Sequence, residues 1–165
     1  MKNIVLIGIM GSGKTTFGHL LSQKTGHEMI DLDDYLVERF NMSIPDMFAI
    51  SEDYFRSHET ICCQEVSSLD SKIISTGGGV IKRQENIDYL KKNGVVFYID
   101  RPIKDIVEDV DPSGRPLLIE GPEKLYALDK ERREKYLKAC DYHILNDGSL
   151  EKVVDDILKI MEKYN

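Results

Sequence analysis

Apolar residues recur along almost the whole chain, either in short continuous runs or at the helical spacing of about 3.6 residues. The short runs predict strands at 3–7, 28–31, within 72–80, at 95–100 and at 142–145. The helical spacings predict helices at 14–25, 34–40, 44–50, 51–69, 84–94, 102–110 and 123–140, with a last helix after the turn at 146–149. Gly94 is expected to end the helix at 84–94, and three glycines interrupt the third strand.

Strands that alternate with helices in this way predict an α/β fold with three layers. We expect a central parallel sheet of about five strands with helices on both faces. The sequence has no internal repeat and no linker rich in glycine or serine, so we expect a single domain over 1–165. Parallel sheets bind ligands where their strands end, and candidate site residues are therefore sought after each strand.

Charge and cysteine content narrow the class of partner. The net charge of -7 at pH 7 disfavours nucleic acid and anionic membranes, which both call for basic patches, so we expect a small-molecule partner. The three cysteines include an adjacent pair and show no metal-ligand spacing, which indicates reduced, buried thiols and a cytoplasmic protein. The apolar run 4–10 is too short to cross a bilayer and lacks a signal-peptide cleavage region. Nothing in the sequence demands more than a monomer.

The first predicted strand leads into a loop rich in glycine. Gly8, Gly13, Lys14 and Thr15 fit the pattern G-x-x-x-x-G-K-[ST] between a strand and a helix, which is the context of a phosphate-binding P-loop. Its glycines permit close backbone approach, and the helix start directs N–H groups at anionic oxygens. In such a loop the lysine neutralises β/γ charge and the threonine hydroxyl reaches Mg²⁺. We expect ATP as the nucleotide, because no guanine-reading N-K-x-D occurs in the sequence.

Two acidic residues, Asp31 and Asp33, follow the second predicted strand. On an extended chain, side chains two residues apart lie on the same side. One carboxylate would then approach the metal, and the other would accept the proton of an acceptor hydroxyl. The same acids would equally cap the helix that is predicted to begin near Asp34. Both interpretations stay open at this point.

Arg56 and Glu59 are three residues apart in a predicted helix and therefore share one helical face. Taken alone, such a pair is more typical of a surface ion pair than of a binding site. Gly77, Gly78 and Gly79 follow the third predicted strand, where glycines cost chain entropy unless a ligand must touch the backbone. Ligand contact is favoured here over an unusual turn or bulge.

Two further arginines are candidate site residues. Arg115 lies in "PSGRPLLIEG", whose glycine and proline flanks suit a mobile lid at about 108–122. A lid arginine closes on the phosphates and stabilises charge as the phosphoryl group moves. Arg132 lies in the predicted helix 123–140. Each arginine alone is more typical of a solvated charge, and only the combination with the other motifs favours a site.

Together these motifs resemble the shikimate kinase family of small P-loop kinases. The resemblance runs through nearly the whole chain: "GIMGSGKTT", "IDLDD", "SIPDMF" followed by "FRSHE", "ISTGGGV", "RPLL", and "ERREKY" before "ACD". It implies a three-layer P-loop kinase fold with a lid and a substrate-binding helical segment at about 32–60. It also implies ATP-dependent phosphorylation of the 3-hydroxyl of shikimate, with Mg²⁺, on the way to chorismate and the aromatic amino acids.

The resemblance implies roles for the acceptor residues as well. Asp33 hydrogen-bonds the ring hydroxyls and is the candidate base. Arg56, oriented by Glu59, and Arg132 bind the substrate carboxylate, and the glycine run 77–79 completes the pocket. Two guanidiniums around one carboxylate make chemical sense, because the planar fork pairs bidentately and stays charged.

On the nucleotide side, the resemblance implies a second set of residues. Asp31 supports the Mg²⁺ shell and Thr15 reaches the ion. The implied nucleotide-binding residues are Gly11, Ser12, Gly13, Lys14, Thr15, Thr16 and Arg115. Lys14 and Arg115 are also implied to be catalytic.

The sequence departs from the family pattern near the adenine. Members of the family usually carry an arginine that packs on adenine in the helix after "YIDR", where this chain has Glu108 and Asp109. Only a backbone contact around 147–149 is carried over for the adenine.

Two other hypotheses stay open on the sequence alone. One keeps the reaction and changes the acceptor to a nucleoside monophosphate or a sugar acid such as gluconate, although nucleotide acceptors usually call for a lid with several arginines. The other is a P-loop module that senses ATP without catalysis and binds it with an affinity that shikimate does not change. The four histidines show no ligand spacing and are interpreted as structural or exposed.

Overall fold

The computed structural model describes residues 1–109 and 122–164. Its strands are β1 Asn3–Ile7, β2 Met29–Asp31, β3 Ile73–Ser75, β4 Gly94–Asp100 and β5 Tyr142–Leu145. Its α-helices are α1 Lys14–Thr25, α2 Leu32–Phe40, α3 Ile44–Ile50, α4 Glu52–Ser67, α5 Gln84–Lys92, α6 Ile103–Asp109, α7 Pro122–Ala139 and α8 Leu150–Met161. Short 3-10 helices cover Val80–Lys82 and Glu162–Tyr164.

The strands form one sheet in the order β2-β3-β1-β4-β5. Every neighbouring pair is parallel, which confirms the predicted sheet. β1 lies in the middle, where Val5 is paired with Ile74 of β3 and Val96 of β4. All residues of β1 are buried, as expected for an apolar strand that is covered on both faces.

Side chains of β1 alternate between the two faces of the sheet, and each face has its own apolar core. Ile4 and Leu6 pack with residues of α1 and α8, including Phe17. Val5 and Ile7 pack on the other face with residues of α2, α4 and α5. Helices therefore cover both faces, which confirms the three-layer arrangement.

β1 lies between β3 and β4, so the loops after these three strands are neighbours at the carboxyl edge of the sheet. The loop 8–13 follows β1, and the segment 76–79 follows β3. Thr76 joins the two segments, because its backbone N and its Oγ1 both donate to the Leu6 carbonyl oxygen, at 3.1 and 2.8 Å. The sheet order thus places the loop 8–13, which has the phosphate-binding motif, beside the glycine run 77–79.

Three local predictions are wrong. Gly94 does not end α5 but begins β4, where an added Cβ would lie 2.5 Å from the Leu90 carbonyl oxygen and 2.9 Å from Val5 Cγ2. The third strand ends at Ser75, so the glycines follow β3 instead of interrupting it. α2 begins at Leu32 and not near Asp34. The other predicted bounds that the structure describes lie within two residues of the observed ones.

Of the two segments predicted from the sequence, the structure describes the substrate-binding segment in full and only the ends of the lid. The predicted substrate-binding segment 32–60 comprises α2, α3 and the first half of α4. Residues 110–121, most of the predicted lid, lie outside the described residues. Across 1–109 and 122–164, no helix combines the length and the apolar character needed to cross a membrane.

Candidate functional site

The loop between β1 and α1 has an unusual backbone. Gly8, Gly11 and Gly13 have positive φ angles of 150°, 79° and 110°, which residues with a side chain rarely adopt. Gly13 is the N-cap of α1, so the free N–H groups of the first helical turn face the loop. An added Cβ at Gly8 would lie 2.6 Å from the Ile99 carbonyl oxygen. Such a loop at a helix start is a binding site for an anion.

Lys14 lies inside this loop and is only 8% exposed. Its Nζ donates to the carbonyl oxygens of Gly8 and Ile9, at 3.1 Å for Ile9. Burial lowers the pKa of Lys14 to about 8, although the carboxylates of Asp33 and Asp31 act in the opposite direction. Because burial disfavours the charged amine, a bound anion would compensate for its lost hydration.

The remaining residues of the loop also suit phosphate groups. Ser12 Oγ is buried and has no hydrogen-bond partner within the described part of the chain. Thr15 and Thr16 are exposed in the first turn of α1. A buried hydroxyl without a partner calls for a ligand, and oxygens of a polyphosphate would satisfy it.

Two residues that the sequence reasoning missed hold this loop in place. Arg101 Nη1 donates to the Gly11 carbonyl oxygen at 3.2 Å. Asn146 is buried, and its Nδ2 donates to the Ser12 carbonyl oxygen at 2.9 Å. Each follows a strand, β4 or β5, at the carboxyl edge of the sheet. That position is the signal that would have identified them in the sequence.

Asp31 and Asp33 have different places in the structure. Asp31 is the N-cap of α2, and its Oδ1 accepts a hydrogen bond from the Asp34 N–H at 3.1 Å. Asp33 lies in the first turn of α2, so the prediction of two carboxylates on one side of an extended chain is wrong. Burial and the charge of Asp31 raise the pKa of Asp33, while Lys14 acts to lower it. Asp33 is thus a more basic carboxylate than usual, beside the lysine of the loop.

Each glycine after β3 lies against a different candidate side chain. An added Cβ atom at each glycine would lie close to one of these side chains. The nearest atoms are Asp33 Oδ1 at 2.9 Å from Gly77, Arg132 Nη1 at 3.1 Å from Gly78, and Arg56 Nη1 and Nη2, both at 2.5 Å from Gly79. The run therefore brings three candidate side chains to one stretch of backbone. A side chain at any of these positions would displace the carboxylate or guanidinium that lies against it, so the glycines leave room for these groups and do not form a bulge in β3.

Arg56 and Glu59 form a buried pair, so the interpretation as a surface ion pair is wrong. Arg56 is 9% exposed and Glu59 is 1% exposed. Arg56 Nη1 donates to Glu59 Oε1 at 3.0 Å, and the guanidinium carbon lies 4.9 Å from the centroid of the Phe55 ring. Burial raises the pKa of Glu59, and the charge of Arg56 opposes that shift. The pair keeps a guanidinium at a fixed place beside Gly79.

Arg132 reaches the same glycine run from α7. Tyr136 lies four residues further along the helix, on the same face, and its hydroxyl donates to the Gly78 carbonyl oxygen. Arg133 points elsewhere, because both of its Nη atoms donate to the Asp100 carboxylate, at 2.9 and 2.7 Å. Arg132, and not Arg133, therefore faces the run 77–79.

One edge of the sheet thus carries two adjoining sites. The first is a loop with a buried lysine that suits a polyphosphate. The second has two guanidiniums and one carboxylate around the glycine run, and it suits a small acceptor that bears a carboxylate and hydroxyls. Adjoining sites of this kind fit phosphoryl transfer.

Comparison with known proteins agrees with this chemistry. A family model described as shikimate kinase matches residues 10–162. The chain belongs to the shikimate kinase family. It is 44% identical over 162 residues to the shikimate kinase of Clostridium botulinum strain Alaska E43, with 98% of both chains covered. It is 36% identical over 163 residues to the shikimate kinase of Caldanaerobacter subterraneus, covering 96% of this chain and 95% of that one.

Solved structures of the shikimate kinase family share the fold. The structure resembles that of the shikimate kinase from Acinetobacter baumannii in complex with shikimate, with a TM-score of 0.88 at 32% identity, covering 100% of this chain and 95% of that chain. The shikimate kinase from Aquifex aeolicus gives a TM-score of 0.79 at 34% identity, covering 98% and 97%. These likenesses confirm the P-loop kinase fold. As a member of the family, the chain is a phosphotransferase with an alcohol acceptor that uses ATP and Mg²⁺.

The donor set fits the Mg²⁺ that shikimate kinases use. Thr15 and Asp31 line one cavity of about 440 Å³ between α1, α2 and β2. Magnesium usually keeps several waters and binds through one or two carboxylates together with substrate phosphates. A hydroxyl and a carboxylate beside the phosphate loop suit this mode of binding.

The structure describes only some of the remaining candidate residues, which belong to the lid and to the adenine side of the shikimate kinase pattern. Arg115 lies outside the described residues. Glu108 is exposed on α6, and residues 147–149 are exposed in the turn after β5. The adenine contacts that the family pattern implies therefore stay predictions.

Proposed function

We propose that this chain transfers the γ-phosphoryl group of ATP to the 3-hydroxyl of shikimate, giving shikimate 3-phosphate and ADP on the way to chorismate and the aromatic amino acids. The observation that carries the proposal is the buried Arg56–Glu59 pair beside Gly79. Glu59 holds this guanidinium in place, and Arg132, whose buried Nε has no hydrogen-bond partner among the described residues, adds a second positive charge at the same glycine run. Two guanidiniums at one site favour an acceptor that brings its own negative charge.

The acceptor carboxylate binds between the two arginines. Arg56 approaches Gly79, and Arg132 approaches Gly78. Each guanidinium offers a planar pair of donors that matches a carboxylate. Backbone N–H groups of Gly78 and Gly79, and the backbone at Gly77, complete this pocket because no side chains separate them from the ligand. The hydroxyl side of the ring then lies toward Asp33.

Asp33 orients the acceptor hydroxyl and takes up its proton on a carboxylate oxygen. Burial, together with Asp31, raises the pKa of Asp33, which favours that transfer. The nearby Lys14 charge helps to keep the carboxylate ionised before the reaction. With a loose transition state, positioning by Asp33 contributes more than its basicity.

On the nucleotide side, residues 11–16 bind the phosphates of ATP. Thr15 and Asp31 would hold the Mg²⁺, which when bound would neutralise part of the phosphate charge. Lys14 turns from the carbonyl oxygens of the loop to donate to phosphate oxygens. Arg115 is proposed as the lid arginine of the segment 108–122, which stabilises charge during transfer.

We extend the proposal to the organisation and location of the protein. The chain acts as a single domain over 1–165, with 32–60 as the substrate-binding segment, and as a monomer in the cytoplasm. Three free cysteines, two of them buried, support a reducing compartment. The net charge of -7 supports a small-molecule partner and neither nucleic acid nor a membrane.

A coupled assay of ADP release from ATP and Mg²⁺ tests the proposed function. The assay is run without acceptor and with shikimate, gluconate and a panel of nucleoside monophosphates. We expect turnover with shikimate alone among these acceptors. Turnover with another acceptor instead would reassign the acceptor pocket. No ADP release with any acceptor, from protein shown to be folded, would favour a module that senses ATP. Calorimetric titration of ATP with and without shikimate would then test that alternative.

A further inference from the structure

Arg132 differs from Arg56 in how its side chain is held. Arg56 Nη1 is bonded to Glu59 at 3.0 Å and Arg56 Nε to Glu52 at 3.4 Å. Arg132 Nε, by contrast, is buried without a hydrogen-bond partner among the residues that the structure describes. Carboxylates from its own helix thus fix Arg56, whereas Arg132 is hydrogen-bonded to Tyr136, which belongs to the same helix and moves with it. The place of Arg132 therefore depends on what fixes α7.

The neighbouring residue supplies such a connection. Arg133 donates Nη1 and Nη2 to the two oxygens of Asp100, at 2.9 and 2.7 Å. Asp100 ends β4 and is 4% exposed, and its Oδ2 also lies 2.7 Å from His143 Nε2 of β5. A bidentate pair restricts both the rotation and the axial position of a helix, which a single contact does not. The rigid sheet therefore sets the orientation of α7.

Asp100 is linked to the nucleotide loop as well. Its carbonyl oxygen accepts a hydrogen bond from the Asn146 N–H at 2.8 Å. The Asn146 side chain in turn donates to Ser12 of the loop, and Arg101, which follows Asp100, donates to Gly11. One buried residue at the end of β4 thus connects the loop to the helix that bears Arg132.

We propose that Asp100, through its bidentate bond with Arg133, is a positioning residue that sets where the Arg132 guanidinium lies over Gly78. This inference rests on the proposed function, in which Arg132 binds the acceptor carboxylate. Successive residues of a helix point about 100° apart, so Arg133 binds the edge of the sheet while Arg132 reaches the glycine run. The Tyr136 bond to Gly78 is a second point of attachment. Without the ion pair, the orientation of α7 would depend on that bond and on the packing of Leu125, Tyr136 and Ala139 in the core.

The test uses steady-state kinetics of the full chain with ATP and shikimate. Arg133→Gln removes the guanidinium, which is the half-exposed partner of the pair, and leaves Asp100 bonded to His143. This variant endangers the fold less than Asp100→Asn, which changes the buried partner. We expect the KM for shikimate to rise about tenfold, with the KM for ATP and kcat within about threefold of the wild type. Lys135→Gln, which removes the same charge from an exposed position of α7, is the matched control and should change neither KM. Arg133→Lys should restore only part of the affinity, because a point charge does not replace the fork.

A double-mutant cycle with Arg132→Ala separates positioning from a general effect on the helix. If Arg133 acts through the Arg132 guanidinium, adding Arg133→Gln to Arg132→Ala should raise the KM for shikimate by less than about twofold, because no guanidinium is left to position. Full additivity, equal rises in both KM values, or no effect of Arg133→Gln on an active enzyme would overturn the inference while the proposed function stands. Absence of shikimate turnover by the wild type would overturn both.

Discussion

Glu59 Oε1 lies 3.0 Å from Arg56 Nη1, and both side chains are buried beside the backbone of the glycine run. Removing one partner of a buried ion pair leaves an uncompensated charge, whereas an exposed pair contributes little. In the proposed acceptor pocket, the pair therefore supplies a cation whose position is fixed before any ligand arrives. Its removal is the most direct test of that pocket.

Arg56→Ala is expected to weaken the acceptor site selectively. Loss of a charge-assisted hydrogen bond corresponds to a rise of about 100-fold in the KM for shikimate, with ATP binding nearly unchanged. The two KM values and calorimetric ATP binding measure this effect. Arg39→Ala is the matched control, because the Arg39 side chain is 49% exposed in its pair with Glu65 and should leave both values unchanged. Equal loss of ATP and shikimate binding would indicate unfolding instead.

Gly79→Ala should act on the same arginine without changing any charge. The added methyl group would lie 2.5 Å from both Nη atoms of Arg56, so the guanidinium must move. We expect the KM for shikimate to rise about tenfold, and the rise to disappear when Arg56→Ala is also present, since the methyl group then has room. The same penalty in both backgrounds would show that the methyl group disturbs the backbone and not the arginine.

Asp100→Asn should change how stability depends on pH. Burial acts to raise the pKa of Asp100, but hydrogen bonds from Arg133 and His143 hold it below its ordinary value of 3.8. The folded state therefore binds this proton less readily than the unfolded chain, so the stabilisation is full above that value and is lost as pH falls through the folded pKa.

We expect the variant to lose about 2 kcal/mol of the free energy of unfolding near neutral pH. The difference from the wild type should shrink below pH 3.8. Urea unfolding measured at a series of pH values tests this expectation. A difference that stays constant across the series would mean that the carboxylate is not the cause.

Reactivity of the thiols provides a test of the core. Burial raises the pKa of Cys62 to about 12 and the pKa of Cys63 well above its ordinary value. Thiolates are the reactive form, so a chromogenic disulfide reagent should leave both residues unmodified until the protein is unfolded. Cys140 is only partly buried and should react first. In the Cys140→Ser variant only Cys62 and Cys63 remain. If these two thiols reacted in the folded variant as fast as in the unfolded chain, their burial would be contradicted.

Asn146→Ala should affect the nucleotide and not the acceptor. The amide donates to the Ser12 carbonyl oxygen at 2.9 Å and so holds the phosphate loop. Loss of one such bond is expected to raise the KM for ATP about fivefold, with the KM for shikimate unchanged. Asn93→Ala is the control, because Asn93 Nδ2 makes a similar bond to the Leu69 carbonyl oxygen, at 2.8 Å, before the start of β4 at the opposite edge of the sheet. Equal effects of the two variants would point to lost stability.

Much of the fold could be predicted from local patterns. The observed bounds of β1, α1, α3 and β5 coincide with the predicted ones. Their signals are local: apolar runs of limited length, a proline and a serine cap at the start of α3, and Gly26 after α1. The phosphate loop could be predicted for the same reason, since its motif lies within a few residues.

The parts that could not be predicted depend on distant partners. Asp100 bonds residues 33 and 43 positions further along the chain, and nothing in its local sequence indicates them. The Arg56–Glu59 pair has the spacing of a surface ion pair, and its burial follows from the packing of α4 with α2, α3 and α5, which the local sequence does not indicate. Asp31 ends β2 and caps α2, which confirms the capping interpretation for this residue, whereas Asp33 was wrongly placed on the extended chain because the helix begins two residues earlier than predicted.

The glycine run after β3 limits how substitutions can change the set of acceptors that the proposed pocket admits. Where a side chain lines a pocket, a smaller residue at that position enlarges it. The stretch 77–79 is bare backbone, so substitution there can only narrow the cavity. If the proposed pocket binds the acceptor, room for a larger one would come from changes to side chains that face this run, such as Asp33, Arg56 and Arg132 of α2, α4 and α7.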